Sequence, residues 1–158
     1  MAAWSKGDRP VNSGNTFRHN YIQAPWKANC IAIYGGNDIT RNTLLRAGGL
    51  FKTEHDGAPA HGAFKIWADQ GPVDDIHVDD MQIVDASHYG IHIQGGDYVG
   101  NASFSNVTIT NPVSAGIFQD GAKGAADFTS VVYTGSANGL LRVDTPFAAN
   151  KVSGNSGW

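Results

Sequence analysis

The chain has 158 residues, enough for a single domain with a buried core, since 41% of them are hydrophobic and only 16% are charged. Its net charge of −3 and its isoelectric point near 6.0 argue against nucleic acid or an anionic membrane as the main partner. No apolar run approaches the roughly 20 residues of a membrane span, and the amino terminus lacks a signal-peptide core.

A triplet of apolar, polar and apolar residues begins near residue 17 and returns along the chain. The polar residue lies two positions after the first apolar residue, and the second apolar residue lies five positions after that same first residue. The five copies are Phe17/His19/Ile22, Ile39/Arg41/Leu44, Val78/Asp80/Ile83, Phe104/Asn106/Ile109 and Phe128/Ser130/Tyr133. Alternation with a period of two predicts short strands. The polar residue marks a bend, where stacked short polar side chains hydrogen-bond the backbone.

A second pattern, a Gly followed by apolar residues at alternate positions, lies out of phase with the first. Its copies begin at Gly62, Gly90, Gly116 and Gly139, in steps of 28, 26 and 23 residues. A period in this range is typical of stacked repeats of one supersecondary unit. Clusters such as Gly95-Gly96-Asp97 predict the turns between strands.

The two patterns together predict an all-β chain that forms one domain over residues 1–158. Strand and turn returning at this period favour a right-handed parallel β-helix, a solenoid of about five to six coils that each contact only their neighbours. An antiparallel β-sandwich is the alternative. A sandwich, however, gives no reason for the same two-part motif to return in every coil.

Stacking the Gly-led strands about 4.8 Å apart places their outward residues in two columns. One column is Ala32, Lys65, His92 and Phe118, and the other is Tyr34, Trp67, Gln94 and Asp120. A strand ending near Trp4 would add a third aromatic residue to Tyr34 and Trp67. Aromatic rings suit the flat faces of sugars, and polar neighbours suit their hydroxyl groups.

We therefore predict a sugar-binding groove on an exposed sheet. Its candidate residues are Trp4, Tyr34, His61, Lys65, Trp67, His92 and Gln94. His61 directly precedes a Gly-led strand and would lie at the mouth of the groove as a hydrogen-bonding or acid/base group. Two alternatives stay open: an aromatic stack that only stabilises the solenoid, and a His61 that is simply solvated.

Candidate catalytic groups are scarce. Glycoside hydrolysis usually needs two carboxyl groups about 5 to 9.5 Å apart, and the candidates are Asp56, Asp74-Asp75 and Asp79-Asp80. Neighbours on a strand point to opposite faces, so Asp79 and Asp80 do not both address one groove unless the strand breaks there. We interpret them as turn and ladder residues and predict no catalytic residue. The spacing of the His residues and the single Cys30 indicates no metal site, and no cofactor is expected.

Several segments resemble the bacterial α-1,3-glucanases and mycodextranases of glycoside hydrolase family eighty-seven. The most specific are Ile-Ala-Ile-Tyr-Gly-Gly at 31–36 and Gly-Asn-Ser-Gly-Trp at 154–158, with further similarity at 42–48 and 103–108. The resemblance covers nearly the whole chain. It implies a right-handed parallel β-helix, an endo-acting hydrolase, an α-glucan polysaccharide as partner, and secretion.

The sequence departs from the family at two places. The family's catalytic Asp pair lies just before a segment like Trp4-Ser5, which here is at the start of the chain. The family also has roughly one more coil after Gly36. The resemblance thus predicts the C-terminal part of a larger catalytic domain, inactive by itself and inclined to self-associate through an uncapped first coil. The alternatives are a non-catalytic carbohydrate-binding or adhesive module and a truncated product without independent function.

Overall fold

The computed structural model describes residues 15–23, 31–33, 37–45, 62–67, 73–86, 88–94, 98–120, 123–135, 141–143 and 152–153. Every regular element in these ranges is a β-strand. The strands are β1 (Asn15–Arg18), β2 (Tyr21–Gln23), β3 (Ile31–Ile33), β4 (Asn37–Thr40), β5 (Thr43–Leu45), β6 (Gly62–Trp67), β7 (Val73–Val84), β8 (Tyr89–Gln94), β9 (Tyr98–Thr110), β10 (Ala115–Asp120), β11 (Lys123–Thr129), β12 (Val132–Thr134), β13 (Leu141–Val143) and β14 (Val152–Ser153). Among these residues no helix is long and apolar enough to cross a membrane.

The strands form two parallel sheets between which the chain passes back and forth. The large sheet has the order β1-β4-β7-β9-β11-β14, with β2, β5 and β12 paired alongside, and the small sheet has the order β3-β6-β8-β10-β13. All strand pairs in the described part of the chain are parallel. The prediction of an all-β fold of stacked parallel strands is confirmed, and the antiparallel sandwich is wrong.

The chain bends at the polar residue of every apolar–polar–apolar triplet. His19, Arg41, Asp80, Asn106 and Ser130 all have left-handed backbone conformations, with φ between 51° and 56°. A second series of bends follows five residues after the last three of them, at Asp85, Asn111 and Gly135. The predicted bends are therefore confirmed. Their recurrence in successive coils explains why the triplet returns with the same internal spacing.

The residue after the bend supplies the backbone hydrogen bonds in the first two coils. Asn42 is buried, and its Nδ2 donates to the carbonyl oxygen of Phe17 at 3.0 Å. Its Oδ1 accepts from the backbone N–H of Asn20 at 3.0 Å and from Asn20 Nδ2 at 2.8 Å. Each such bond contributes about 0.5–1.5 kcal/mol, and removing one partner leaves a buried polar group unpaired. The predicted polar ladder thus exists, displaced by one residue from the bend.

The core consists of like residues stacked from coil to coil. Val78, Phe104 and Phe128 are in register on three neighbouring strands and are buried. The Phe104 ring stacks on Phe128 with centroids 5.1 Å apart and meets Phe64 of the small sheet edge-on at 5.8 Å. Aromatic contacts of this kind add about 0.5–1.5 kcal/mol beyond the burial of their area. The core therefore joins the two sheets through rings as well as aliphatic side chains.

Two of the repeated glycines allow close approach of neighbouring strands. A Cβ on Gly90 would lie 2.6 Å from the carbonyl oxygen of Gly116 and 2.7 Å from Ile109 Cγ2. A Cβ on Gly62 would lie 2.5 Å from the backbone nitrogen of His92. The two glycines do not occupy the same position in the repeat, since Gly62 is in register with Tyr89, the residue before Gly90.

Candidate functional site

The residue pairs of neighbouring strands in the small sheet show where the residues of the two predicted columns lie. Lys65 pairs with His92 and His92 with Phe118, while Trp67 pairs with Gln94 and Gln94 with Asp120. Ala32 precedes Lys65 in the first column. We call the second set, Trp67, Gln94 and Asp120, the Trp67 column. The side-by-side arrangement predicted for these residues is confirmed.

Lys65, His92 and Phe118 of the first column lie outside the main core but are not exposed. Tyr89, Ala115 and Phe118 form an apolar cluster separate from the main core. The centroid of the His92 ring lies 5.2 Å from the centroid of the Phe118 ring and 5.3 Å from that of the Tyr89 ring. Lys65 and His92 are only 0% and 1% exposed. The expectation that these two residues line an exposed face is wrong, because strand alternation decides which side a residue faces and not whether solvent reaches that side.

Lys65 and Gln94 connect the two columns. The Lys65 ammonium group donates a hydrogen bond to Gln94 Oε1, and Gln94 is only partly buried. A buried ammonium group requires hydrogen-bond acceptors, since its desolvation is otherwise strongly unfavourable. The bond also orients the Gln94 carboxamide, with its oxygen towards Lys65 and its NH₂ group available as a donor. Solvent thus reaches the outer side of the small sheet at Gln94 and not at Lys65.

The rest of the predicted groove lies beyond what the structure describes. Trp4, Tyr34 and His61 are outside the described residues, and Trp67 is described only through its backbone in β6. The aromatic row therefore stays a prediction.

The acidic pair Asp79-Asp80 lies on the outer side of the large sheet. Asp79 Oδ1 accepts hydrogen bonds from Ser105 Oγ at 2.6 Å and from Asn106 Nδ2 at 2.9 Å. These bonds, that of Ser105 first, lower the pKa of Asp79 below its ordinary value of 3.8, against a smaller opposing effect of burial. A carboxyl group so stabilised in its ionised form is a poor general acid. The interpretation of Asp79 as a ladder residue is confirmed.

Asp80 is a bend residue paired with the neighbouring coil. Its φ of 51° breaks the regular strand, so both Asp79 and Asp80 lie outside the core. The Asp80 carboxylate lies 3.7 Å from Arg41 Nε, in an ion pair whose members are both more than half exposed. Such exposed pairs contribute about 0–1 kcal/mol. Asp80 therefore has a structural setting, as the sequence interpretation expected.

The structure also brings together three residues that the sequence did not connect. His77 Nδ1 lies 2.9 Å from Ser103 Oγ, and His77 Nε2 lies 3.0 Å from Asp75 Oδ1. We call these residues the His77 cluster. Ser103 lies 26 residues from His77 and reaches it only through the pairing of β7 with β9. In the described part of the chain no three His, Cys, Asp or Glu residues are placed to hold a metal ion.

The fold is similar to those of several solved glucanase domains. The catalytic unit of a thermostable GH87 alpha-1,3-glucanase from Streptomyces thermodiastaticus matches with a TM-score of 0.72 and 23% identity, over 99% of this chain and 37% of that one. The Agl-KA catalytic domain matches with a TM-score of 0.73 and 17% identity, over 96% and 34%. A GH87 alpha-1,3-glucanase catalytic domain in complex with tetrasaccharides matches with a TM-score of 0.67 and 22% identity, over 94% and 32%.

No protein-family model and no curated protein matches the sequence. The chain spans about a third of the length of each of these solved domains. The similarity therefore extends over nearly all of this chain but over only part of each neighbour. In its fold, the chain resembles the catalytic domains of GH87 alpha-1,3-glucanases.

Proposed function

We propose that the chain is a glycoside hydrolase-related, right-handed parallel β-helix that binds an α-glucan along the outer side of the small sheet. The supporting observation is its similarity, over nearly its whole length, to GH87 catalytic domains, two of which are in complex with tetrasaccharides. A right-handed path agrees with the general preference of parallel crossover connections. Within the described residues the small sheet has five strands, which agrees with about five to six coils.

The proposed binding surface is the Trp67 column. Trp67 offers a flat ring to a sugar face, and the Gln94 carboxamide offers its NH₂ group to a hydroxyl or ring oxygen. Lys65 holds that carboxamide in place from beneath and does not itself contact the sugar. Tyr34 and Trp4 extend the aromatic row in the proposal, with His61 at its mouth. By the same resemblance, the protein works outside the cell.

We further propose that the 158-residue chain binds glucan without hydrolysing it. A glycosidase needs a carboxyl pair of which one member is a proton donor with a raised pKa. Three of the candidates have other partners: Asp79 is bound by Ser105 and Asn106, Asp80 by Arg41, and Asp75 by His77. Because these carboxyl groups are already bound by neighbouring side chains, the structure also favours a second candidate function, that of a carbohydrate-binding or adhesive module without any catalytic role.

Binding and hydrolysis are separable in one experiment with insoluble α-1,3-glucan. We expect the chain to sediment with the glucan and to release no reducing sugar. Release of reducing ends by the purified chain would contradict the proposal of an inactive chain. In that case Asp→Asn substitution at residues 75, 79 and 80 would identify the carboxyl group responsible.

The first prediction concerns Trp67. Trp67→Ala should weaken glucan binding by about 5- to 150-fold, which corresponds to the roughly 1–3 kcal/mol expected for the loss of an aromatic anchor. Depletion of the protein from solution by increasing amounts of glucan measures the effect. Tyr21→Ala is the matched control, because Tyr21 is a 65% exposed aromatic residue of the large sheet. Equal retention of both variants would place the binding surface elsewhere.

A further inference from the structure

The His77 cluster is a group of potentially reactive side chains away from the small sheet. His77 and Ser103 are register partners on β7 and β9, so their side chains leave the large sheet on the same side. The imidazole lies between the Ser103 hydroxyl, 2.9 Å from Nδ1, and the Asp75 carboxylate, 3.0 Å from Nε2. His77 and Asp75 are 51% and 65% exposed, so the cluster is open to solvent.

These contacts determine the tautomer of the neutral imidazole. The Asp75 carboxylate only accepts hydrogen bonds, so Nε2 bears the hydrogen and donates it to Asp75. Nδ1 is then left with its lone pair and accepts the hydrogen of the Ser103 hydroxyl. A hydroxyl group that donates to an imidazole held by a carboxylate is the arrangement in which a serine is activated as a nucleophile.

The backbone at Asp75 has the left-handed conformation that also occurs at the bends, and this bend contributes to the arrangement. Asp75 has a φ of 62° although it lies within β7 and is not a glycine. The left-handed conformation costs roughly 1–2 kcal/mol for a residue with a side chain. Here it accompanies a contact between Asp75 and the residue two positions later in the same strand.

Ser105 provides a comparison within the same strand. It lies two residues after Ser103 on the same side of the sheet, and its hydroxyl donates to Asp79. The Asp79 carboxylate is a weak base, because its hydrogen bonds stabilise the ionised form. Of these two neighbouring serines, only Ser103 has an imidazole as its acceptor.

We propose that Ser103 is a nucleophile activated by His77 and that the cluster is an acyl-transfer site for neutral esters of small carboxylic acids. Ser103 Oγ bonds to the ester carbonyl carbon, and its proton passes to His77 Nδ1. The bond from carbon to the alcohol oxygen then breaks, and the alcohol leaves with that proton. Water then gives a proton to Nδ1 as its oxygen bonds to the acyl carbon. The bond from that carbon to Ser103 Oγ breaks, Oγ takes the proton back from Nδ1, and the carboxylic acid leaves. Asp75 is a positioning residue that keeps the imidazole in its tautomer.

Charge and exposure around the cluster define the class of ester. Asp127, the register partner of Ser103 on β11, is exposed, as is Asp75 itself. These two carboxylates disfavour anionic substrates. An open sheet surface suits a short acyl group better than a long chain that needs an enclosing pocket. The three residues contain no donor for the developing oxyanion, so turnover should be slow. This proposal is independent of glucan binding.

The test is site-specific labelling of the intact chain with a neutral fluorophosphonate probe, located by peptide mass spectrometry. In this reaction the Ser Oγ–P bond forms, the P–F bond breaks, and fluoride leaves with the serine proton. We expect one adduct, on Ser103, and none on Ser105. Ser103→Ala should abolish labelling, and Ser105→Ala should leave it unchanged. His77→Gln should slow it by about 10²-fold or more, the usual contribution of a general base.

A second measurement follows hydrolysis of p-nitrophenyl acetate by the same proteins. Asp75→Asn should lower kcat with KM unchanged, since Asp75 acts through His77 and does not contact the ester. Equal labelling of Ser103 and Ser105 in the unsubstituted chain would overturn the proposal without requiring any variant to fold. Absence of labelling, or labelling that is insensitive to His77→Gln, would overturn it as well.

Discussion

The role inferred for Lys65 from the sequence differs from the role that its surroundings in the structure indicate. In the sequence it is a charged residue at an outward strand position, which suggests a group available to a ligand. In the structure it has no exposed surface and donates to Gln94. Its role at the residue scale is therefore to orient a neighbour. In the proposed binding surface the half-buried Gln94 is the donor to the ligand, a part that the sequence assigned equally to both residues.

Asp79 leads to a prediction about pH. Its pKa is lower in the folded chain than the ordinary 3.8, so below that value the unfolded chain binds more protons than the folded one. The stabilisation is fully present above about pH 4 and is lost as the pH falls through the folded pKa. Urea unfolding at pH 7 and at several values below 4 should show a smaller acid-induced loss of stability for Asp79→Asn than for the unsubstituted chain.

Two serine variants provide the control for this prediction. Ser105→Ala removes the largest cause of the lowered pKa and should reduce the same pH dependence. Ser103→Ala removes a hydroxyl from the same strand that bonds His77 instead, so it should leave the dependence below pH 4 unchanged. Identical acid sensitivity of the two serine variants would contradict the assignment to Asp79.

At the scale of the element, the bends explain the triplet pattern better than hydrogen bonding alone. Residues as different as His19, Arg41 and Ser130 share the left-handed conformation at this position. Asp80 and Asn106, which occupy it in two neighbouring coils, are of the non-glycine types that adopt this conformation most readily. What the bend excludes is a β-branched side chain. The recurring requirement is thus conformational, and the identity of the polar group is secondary.

Ser130 tests this conclusion. Ser130→Val should destabilise the fold by about 1–2 kcal/mol, because a β-branched residue is strained at a φ of 55°. Ser130→Asn should be neutral or slightly stabilising. Urea unfolding of both variants measures the difference, and Thr108→Val, at an exposed position within β9, controls for the introduction of valine. Equal stability of the valine and asparagine variants at 130 would show that the bend imposes no such restriction.

At the scale of the whole molecule, the core side chains of each coil pack against those of the next coil. Phe104 contacts one ring of the next coil, Phe128, and one ring of the opposite sheet, Phe64. Phe17, at the core-facing position of the first described strand, is only partly buried, as is Ile22. Core coverage is therefore greater in the middle of the stack than at its first described coil. The self-association expected at that end stays a prediction.

This difference in coverage predicts a difference in stability. Phe104→Ala should destabilise the fold by about 3–5 kcal/mol, the usual range for a fully buried ring. Phe17→Ala should have a clearly smaller effect, since part of that side chain already contacts water. Chemical denaturation of the two variants provides the comparison. Equal losses would mean that the first described coil is as well packed as the centre.

By itself, the sequence determined the all-β class, the parallel stacking of strands, the positions of the bends and the membership of the columns on the small sheet. These features follow from local spacing, because alternation sets the side that each residue faces and a repeated motif sets the register between coils. The same reasoning identified Asp79 as a ladder residue without seeing its partners.

Only the tertiary structure decided which outward residues are buried and which distant residues meet. Lys65 and His92 face away from the core, yet their burial depends on what packs against that side of the sheet. The contact of His77 with Ser103 depends on the pairing of two long strands, and its carboxylate partner depends on one left-handed residue, Asp75. Spacing along the chain determines direction, whereas contact and exposure are properties of the assembled coils.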